Sequence, residues 1–282
     1  MNGVRVRLLG VRGSMPVHGG SCALFGGETS CVLYQAGDET VILDAGTGLM
    51  WEELPQKLSG ARFTMLLTHA HVDHIVAFPM FSPLFNPKCE CDVYLRTREG
   101  RTALEQLETL MAPPLWPVRT NALRACIRFH DVPQAFPVGG IRVESMEVPH
   151  PGGSTAYKLS WRGASVVYAT DAELDKEDLP AFCRFAQGCD LMLLDAQYTQ
   201  EEYRTTRGFG HMPIRQAVEV ALRCQARQTL LVHHAPARTD AQLLEWEQEL
   251  QKHHPNIRFG RAGDEWAWED PSPQEPTKEE PR

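Results

Sequence analysis

Between Leu66 and Pro79 the chain reads LLTHAHVDHIVAFP, and the six residues from His69 to His74 hold three histidines and one aspartate. Imidazole and carboxylate are borderline-to-hard ligands that suit zinc, manganese or iron. The apolar run FTMLL leads into the cluster and reads as a buried strand ending at Thr68. Residues two apart in a strand project from the same face. His69 and His71 are therefore expected to present both imidazoles to one ion as the strand ends. Asp73 and His74 follow on a tight turn, close enough for a second ion. A polar loop with chance histidines is the weaker reading of H-x-H-x-D-H spacing directly after an apolar strand.

The elements that must position this cluster follow from periodicity. VRVRLL, with Val4, Val6 and Leu8 alternating, reads as a half-buried strand. CVLYQAGDETVILDAG reads as two strands around a Gly37–Asp38 turn. After His71 the pattern predicts a helix with Asp73 near its start and Pro79 limiting its length. CDVYLRT is another strand, and EGRTALEQLETLMA carries Leu104, Leu107, Leu110 and Met111 at helical spacing. MAPPLWPVRTNALRACIR (111–128) breaks the pattern and reads either as a lid or dimer segment, with Trp116 able to stack on a base, or as a packed loop. Strands resume with IRVESMEV, AYKLSW and ASVVYAT. A helix over Leu179–Ala186, the strand DLMLLDA, a helix over PIRQAVEVALRCQ, the strand TLLV and a helix over DAQLLEWEQELQKHH complete the pattern. Residues 1–269 read as one domain whose halves meet near Phe136. The segment 270–282, rich in proline and charge, reads as a disordered tail.

The 282 residues are enough to bury a sizeable core, and 43% apolar with 23% charged residues is ordinary for a globular protein. Lys plus Arg is 28 against 36 Asp plus Glu, a net charge of −8, which argues against a broad phosphate-binding surface and stable nucleic-acid binding. No apolar run reaches about 18 residues, so no membrane span is expected. The opening segment does not read as a secretory signal, and a cytoplasmic location is expected. The eight cysteines are scattered; only Cys89 and Cys91 lie close together, and free thiols rather than disulfides or a zinc site are expected.

The residues THAHVDH resemble the signature of the metallo-β-lactamase fold, an αββα sandwich of the α/β class with two mixed sheets flanked by helices. That pattern asks for a later His, a later Asp and a final His, each at a strand end. MEVPH supplies His150, VVYATDAE supplies Asp171, and TLLVHHAP supplies His233, with His234 as the alternative. The resemblance implies two divalent ions, zinc or manganese: His69, His71 and His150 on one, Asp73, His74 and His233 on the other, and Asp171 bridging. ILDAGTGL resembles the family's D-x-G-x-G turn and implies that Asp44 braces the ligands from behind. The likeness covers roughly residues 4–268.

Two metal ions can activate a bridging hydroxide for hydrolysis of esters, lactams and phosphodiesters alike, so the fold does not choose the substrate. GFGHMPIRQAVEVA resembles a motif of the tRNA 3′-processing endonucleases (RNase Z), and implies that His211 protonates the leaving group. A cap on the following helix is the structural alternative for His211. VRGSMPVHGG resembles an entry loop of the phosphodiesterase branch, which implies that Gly13 and Ser14 lie beside the site. RGSMPVHGG, FGGETSCV, DAGTGL, PHPGGSTAYKL, DAQYTQEEY, GHM and HHAP together resemble bacterial and phage cyclic-nucleotide phosphodiesterases of the anti-Pycsar type, which are homodimers. Glu28 and Ala235 depart from that group's usual Asn and Asp. The resemblance thus implies cyclic-nucleotide hydrolysis, with Asp73 and His211 catalytic. An RNase Z-like endonuclease, a thioester or lactone hydrolase, and a non-enzymatic sensor are the alternatives.

Overall fold

In the computed structural model, residues 3–51 and 53–269 are described. Six strands come first: β1 (Gly3–Gly10), β2 (Cys31–Ala36), β3 (Glu39–Leu43), β4 (Arg62–Leu66), β5 (Glu90–Tyr94) and β6 (Cys126–His130). Seven follow: β7 (Ala135–Val138), β8 (Ile141–Val148), β9 (Ser154–Trp161), β10 (Ala164–Ala169), β11 (Leu191–Asp195), β12 (Gln228–Val232) and β13 (Ile257–Phe259). The last, β14 (Glu265–Glu269), returns to the first group. One sheet has the order β14-β1-β2-β3-β4-β5-β6 and the other β13-β12-β11-β10-β9-β8-β7. Each sheet is mixed. In the first, β14, β1, β2 and β3 pair antiparallel and β3 to β6 parallel. In the second, β7 to β10 are antiparallel and β10 to β13 parallel.

Alternation along the strands sorts side chains into three layers. In β10, Val166 and Tyr168 face the other sheet while Val167 and Ala169 face outward. In β11, Leu191 and Leu193 point inward and Met192 and Leu194 outward. The inward sets of both sheets share one core, which includes Val6, Tyr34, Leu66, Val143, Leu159 and Leu230. Each fully buried Val or Leu there contributes roughly 1.5–3 kcal/mol. The outward faces are covered by helices: α1 (Leu54–Lys57), α2 (Val72–Ile75) and α3 (Ala103–Leu110) on the first sheet, and α4 (Leu179–Ala186), α6 (Ile214–Cys224) and α7 (Asp240–Gln251) on the second. The short α5 (Tyr203–Thr206) lies in the loop before His211. This is the αββα sandwich with two mixed sheets that the family resemblance implied.

Several element boundaries differ from expectation. The helix expected to run from Asp73 toward Pro79 is the single turn α2, followed by 3-10 turns at Phe78–Met80 and Ser82–Phe85. Prolines 79 and 83 fix φ early in each turn and remove a donor, so a continuous helix cannot form. The helix expected over 99–112 is shorter because Thr102 caps it, its side chain and that of Glu105 forming a reciprocal capping box. In segment 111–128, Trp116, Leu123 and Ala125 pack under the first sheet, while Leu115 is 66% exposed. The tail 270–282 falls outside the described residues. All eight cysteines are free thiols, and among the described residues no helix is long and apolar enough to cross a membrane.

Candidate metal centre

The chemistry-bearing residues sit at strand exits. Asp44 follows β3, His69 to His74 follow β4, His150 follows β8, Asp171 follows β10, Asp195 ends β11 and His233 follows β12. Loops at the carboxyl ends of strands in open α/β sheets are the usual place for a ligand site. The backbone bends sharply there: Ser14, Asp44, Asp171 and His233 all adopt positive φ, between 52° and 64°. A left-handed conformation is costly for residues other than glycine and persists where surrounding contacts enforce it.

These exits bring ligand atoms of His69, His71, His150 and Asp171 within 4.8 Å of one another, and those of Asp73, His74 and His233 likewise. Asp171 lies between the groups. Its Oδ2 is 3.6 Å from Nε2 of both His69 and His150, and its Oδ1 is 3.1 Å from His74 Nε2 and 3.0 Å from His233 Nε2. Asp73 Oδ2 is 3.3 Å from Nε2 of both His74 and His233.

Four of the imidazoles are held from behind. His69 Nδ1 meets Thr68 Oγ1 at 3.0 Å, His74 Nδ1 meets Asp44 Oδ2 at 2.8 Å, His150 Nδ1 donates to the Gly210 carbonyl at 3.0 Å, and His233 Nδ1 meets Gln197 Oε1 at 2.9 Å. With Nδ1–H donating outward, each ring turns its Nε2 lone pair inward, the orientation that metal-ligating histidines adopt. Asp44 in turn accepts from Thr68 N at 2.8 Å and from Tyr168 Oη at 2.9 Å.

A divalent metal fits this donor set. Nε2 of His69 and of His74 are buried with no hydrogen-bond partner, a costly state that a cation would relieve. Burial first, then the neighbouring His74, pushes the His69 pKa well below its ordinary value, and burial also lowers those of His71 and His150. A neutral imidazole is the ligand form; for His74 burial likewise works to lower the pKa, but Asp171, Asp73 and Asp44 outweigh it and raise the value, so binding there would displace a proton. For Asp73, burial works to raise the pKa, but His74 and His233 outweigh it and hold the carboxyl ionised far below its ordinary range. Asp171 behaves likewise, with His233 and His74 outweighing its burial. Asp73 and Asp171, both buried, are thus anionic donors within the cluster, the form that binds a divalent ion.

Asp195 was not singled out by the sequence pattern, although it ends an apolar strand as the ligands do. Its Oδ2 accepts from His211 Nδ1 at 2.7 Å and from Asp171 N at 3.1 Å, and its Oδ1 accepts from Met212 N at 3.1 Å. The His211 ring stacks on His233, with centroids 4.8 Å apart. Burial works to lower the His211 pKa, but the charge of Asp195 and its hydrogen bond outweigh it and push the value up to about 9. The alternative role for His211, as a helix cap, finds no support: the residue before α6 is Pro213, and no side chain caps that helix. Gln197 is the other residue the pattern did not mark. Besides holding His233, its Nε2 donates to Ser14 Oγ at 3.2 Å.

Ser14 lies beside the cluster, with its N–H donating to Asp73 Oδ2 at 2.7 Å. Gly13 is there of necessity, because a Cβ on it would sit 2.3 Å from the His233 ring. His234 is not brought to the cluster. Its Nε2 donates to the Gly260 carbonyl at 2.8 Å, and its ring lies edge-on to Phe25 and Phe259 in the outer core. Adjacent residues leaving a strand point to opposite sides, so only one of the pair can face the site.

Residues 39–234 match the family model described as the β-lactamase superfamily domain. The chain belongs to the β-lactamase superfamily. A ribonuclease Z of Gemmatimonas aurantiaca is 24% identical over 92% of this chain and 94% of its own length, and one of Bradyrhizobium diazoefficiens is 21% identical over 81% and 90%. Among solved structures, the metallo-β-lactamase fold protein YhfI of Bacillus subtilis superposes with a TM-score of 0.73 at 19% identity, covering 95% of this chain and all of that one. The short form of human tRNase Z gives 0.64 at 14% identity over 93% and 98%. This β-lactamase superfamily member is a metal-dependent hydrolase.

Proposed function

We propose that the protein is a phosphodiesterase carrying two divalent ions, zinc or manganese, and that it hydrolyses cyclic nucleotides as a homodimer. His69, His71 and His150 would hold one ion and Asp73, His74 and His233 the other, with Asp171 between them. Bound there, the ions supply Lewis acidity that activates a water and stabilises charge on a phosphoryl oxygen. The chain's own groups do the rest. Thr68, Asp44, Gly210 and Gln197 fix the ligand rings. Asp195 keeps a proton on His211 Nδ1 and stabilises the imidazolium, leaving Nε2 to deliver a proton to the departing alkoxide.

The observation that carries this reading is the Asp195–His211 pair stacked against His233. An alkoxide is a poor leaving group and benefits from a positioned acid; the thiolate of a thioester leaves readily and makes less use of one. Cyclic mononucleotides are favoured over RNA by the net charge of −8. The ribonuclease Z relatives, matched along nearly their whole length, favour the second reading, an RNA endonuclease.

Two measurements test the set. Native mass spectrometry should find two divalent ions per chain, and chromatography should show linear nucleotide products from cyclic mononucleotides. Cleavage of precursor tRNA with none of cyclic mononucleotides would instead establish the second reading.

A further inference from the structure

Beside His69 and His71 opens a cavity of about 240 Å³ that none of the roles above uses. Its far wall is a two-residue turn, Glu99–Gly100, in which both residues have positive φ, and Arg98 and Arg101 face each other across it with reciprocal backbone hydrogen bonds of 3.1 and 2.8 Å. Arg98 is fixed. It pairs with Glu147, and its Nη2 donates to Thr155 Oγ1 at 2.9 Å. Arg101 is not fixed: its side chain makes one long hydrogen bond, 3.4 Å to Thr109, and no ion pair among the described residues. Glu99 likewise has no ion pair among the described residues. The floor is the backbone of Gly152 and Gly153. A Cβ on Gly152 would meet nothing within 4 Å, so a flat backbone surface lies open, while one on Gly153 would strike Arg98 Nη1 at 2.1 Å.

A cation and a carboxylate, neither of them in an ion pair among the described residues, lining one cavity next to a phosphodiester site do not suit a second phosphate, which Glu99 would repel. They suit a planar, neutral group with acceptors on one edge and donors on the next. We propose that this cavity binds the nucleobase of the substrate and selects guanine, whose O6 and N7 accept from Arg101 while N1–H and the N2 amino group donate to Glu99. Adenine offers an amino donor where O6 stands and leaves Arg101 facing it, and pyrimidines lack the N7 edge. This inference rests on the nucleotide phosphodiesterase reading and adds the base to it.

The test is isothermal titration calorimetry of the metal-loaded protein with GMP, AMP, CMP and inorganic phosphate, alongside the cyclic-nucleotide cleavage assay. The wild type should bind GMP about 10-fold or more tightly than AMP or CMP. Arg101→Met and Glu99→Ala, both at exposed turn positions, should each reduce the ratio of GMP to inorganic phosphate affinity by about that factor. Equal affinity for the three nucleotides, or variants that leave the ratio unchanged, would overturn the subsite. Selective GMP binding without cleavage of any cyclic nucleotide would keep the subsite and sink the hydrolytic reading. Cleavage of cyclic nucleotides without base selectivity would do the reverse.

Discussion

His211 differs from the other site histidines in what holds it. Four of them are anchored by Thr68, Asp44, Gly210 and Gln197, whereas His211 is bonded through Nδ1 to the buried carboxylate of Asp195; it lies within ligand reach of Asp171, Asp195 and His233 but outside the two proposed ligand sets. His211→Ala should therefore leave metal stoichiometry intact while slowing natural diesters by about 10²- to 10⁴-fold. An activated diester with a p-nitrophenolate leaving group should slow far less. Asp73→Ala should instead lower metal content and slow every substrate together. Equal losses on both substrates in His211→Ala, with metal content unchanged, would remove the acid role. At this scale His69, His71, Asp73 and His74 were legible from their own spacing after an apolar strand, and His150, Asp171 and His233 only through the family resemblance that asks for a ligand at those strand ends. Asp195 also ends an apolar strand and was passed over because no motif drew attention to it. Thr68 and Gln197 carry no signal of their own: a hydroxyl and an amide behind a ligand become meaningful only once the ring they support is placed.

Between elements, the site depends on how closely strand exits approach. The loop after β1 passes so near the exit of β12 that only glycine fits at position 13. Gly13→Ala should push the His233 ring aside and lower occupancy of the ion that Asp73, His74 and His233 would share, a loss that metal analysis reads directly. At the opposite edge, Asp92 on β5 accepts from Arg128 Nε at 2.8 Å and Nη2 at 2.9 Å, and meets His130 Nε2 at 2.8 Å, both on β6. The Arg128 hydrogen bonds are the main cause holding its pKa at about 2, with burial opposing and His130 assisting. The folded value lies below the unfolded one of about 3.9, so this contribution to stability is complete above that pH and is lost as pH falls toward about 2. Asp92→Asn should lower the denaturant midpoint at neutral pH, and the difference from wild type should shrink through that acid window. Most strands and helices were legible from alternation and helical spacing. The four strands that were not are informative. β6 is exposed or half-buried along its whole length and begins inside the proline-broken 111–128 stretch, and Pro137 in the four-residue β7 speaks against a strand. β13 has three residues, too few to show a period. β14 does alternate, Trp266 and Trp268 between Glu265 and Glu269, but its exposed partner face gave no apolar run to mark it.

For the whole molecule, the buried ligand cluster ties stability to metal. A ligand present at about a thousandfold above its Kd stabilises by about 4 kcal/mol. Chelator-stripped protein should melt on the order of 10 °C below the loaded form, with full recovery on adding zinc or manganese. A melting temperature insensitive to chelation would argue against a resident ion.

The return of β14 to β1 bears on how the chain is made. Gly3 to Arg7 on β1 pair with Glu265 to Glu269 on β14, so one edge of the first sheet lacks its partner until the far end of the sequence has emerged from the ribosome. At about 5–20 residues per second that interval is on the order of tens of seconds, during which an unpaired strand edge invites association with other chains. Arg5 and Arg7 interrupt the apolar residues along that edge, and Arg5 is later matched by Glu265 at 3.1 Å. Both charges thus guard the nascent chain and, once translation has passed residue 269, that of Arg5 becomes part of the seam that closes it.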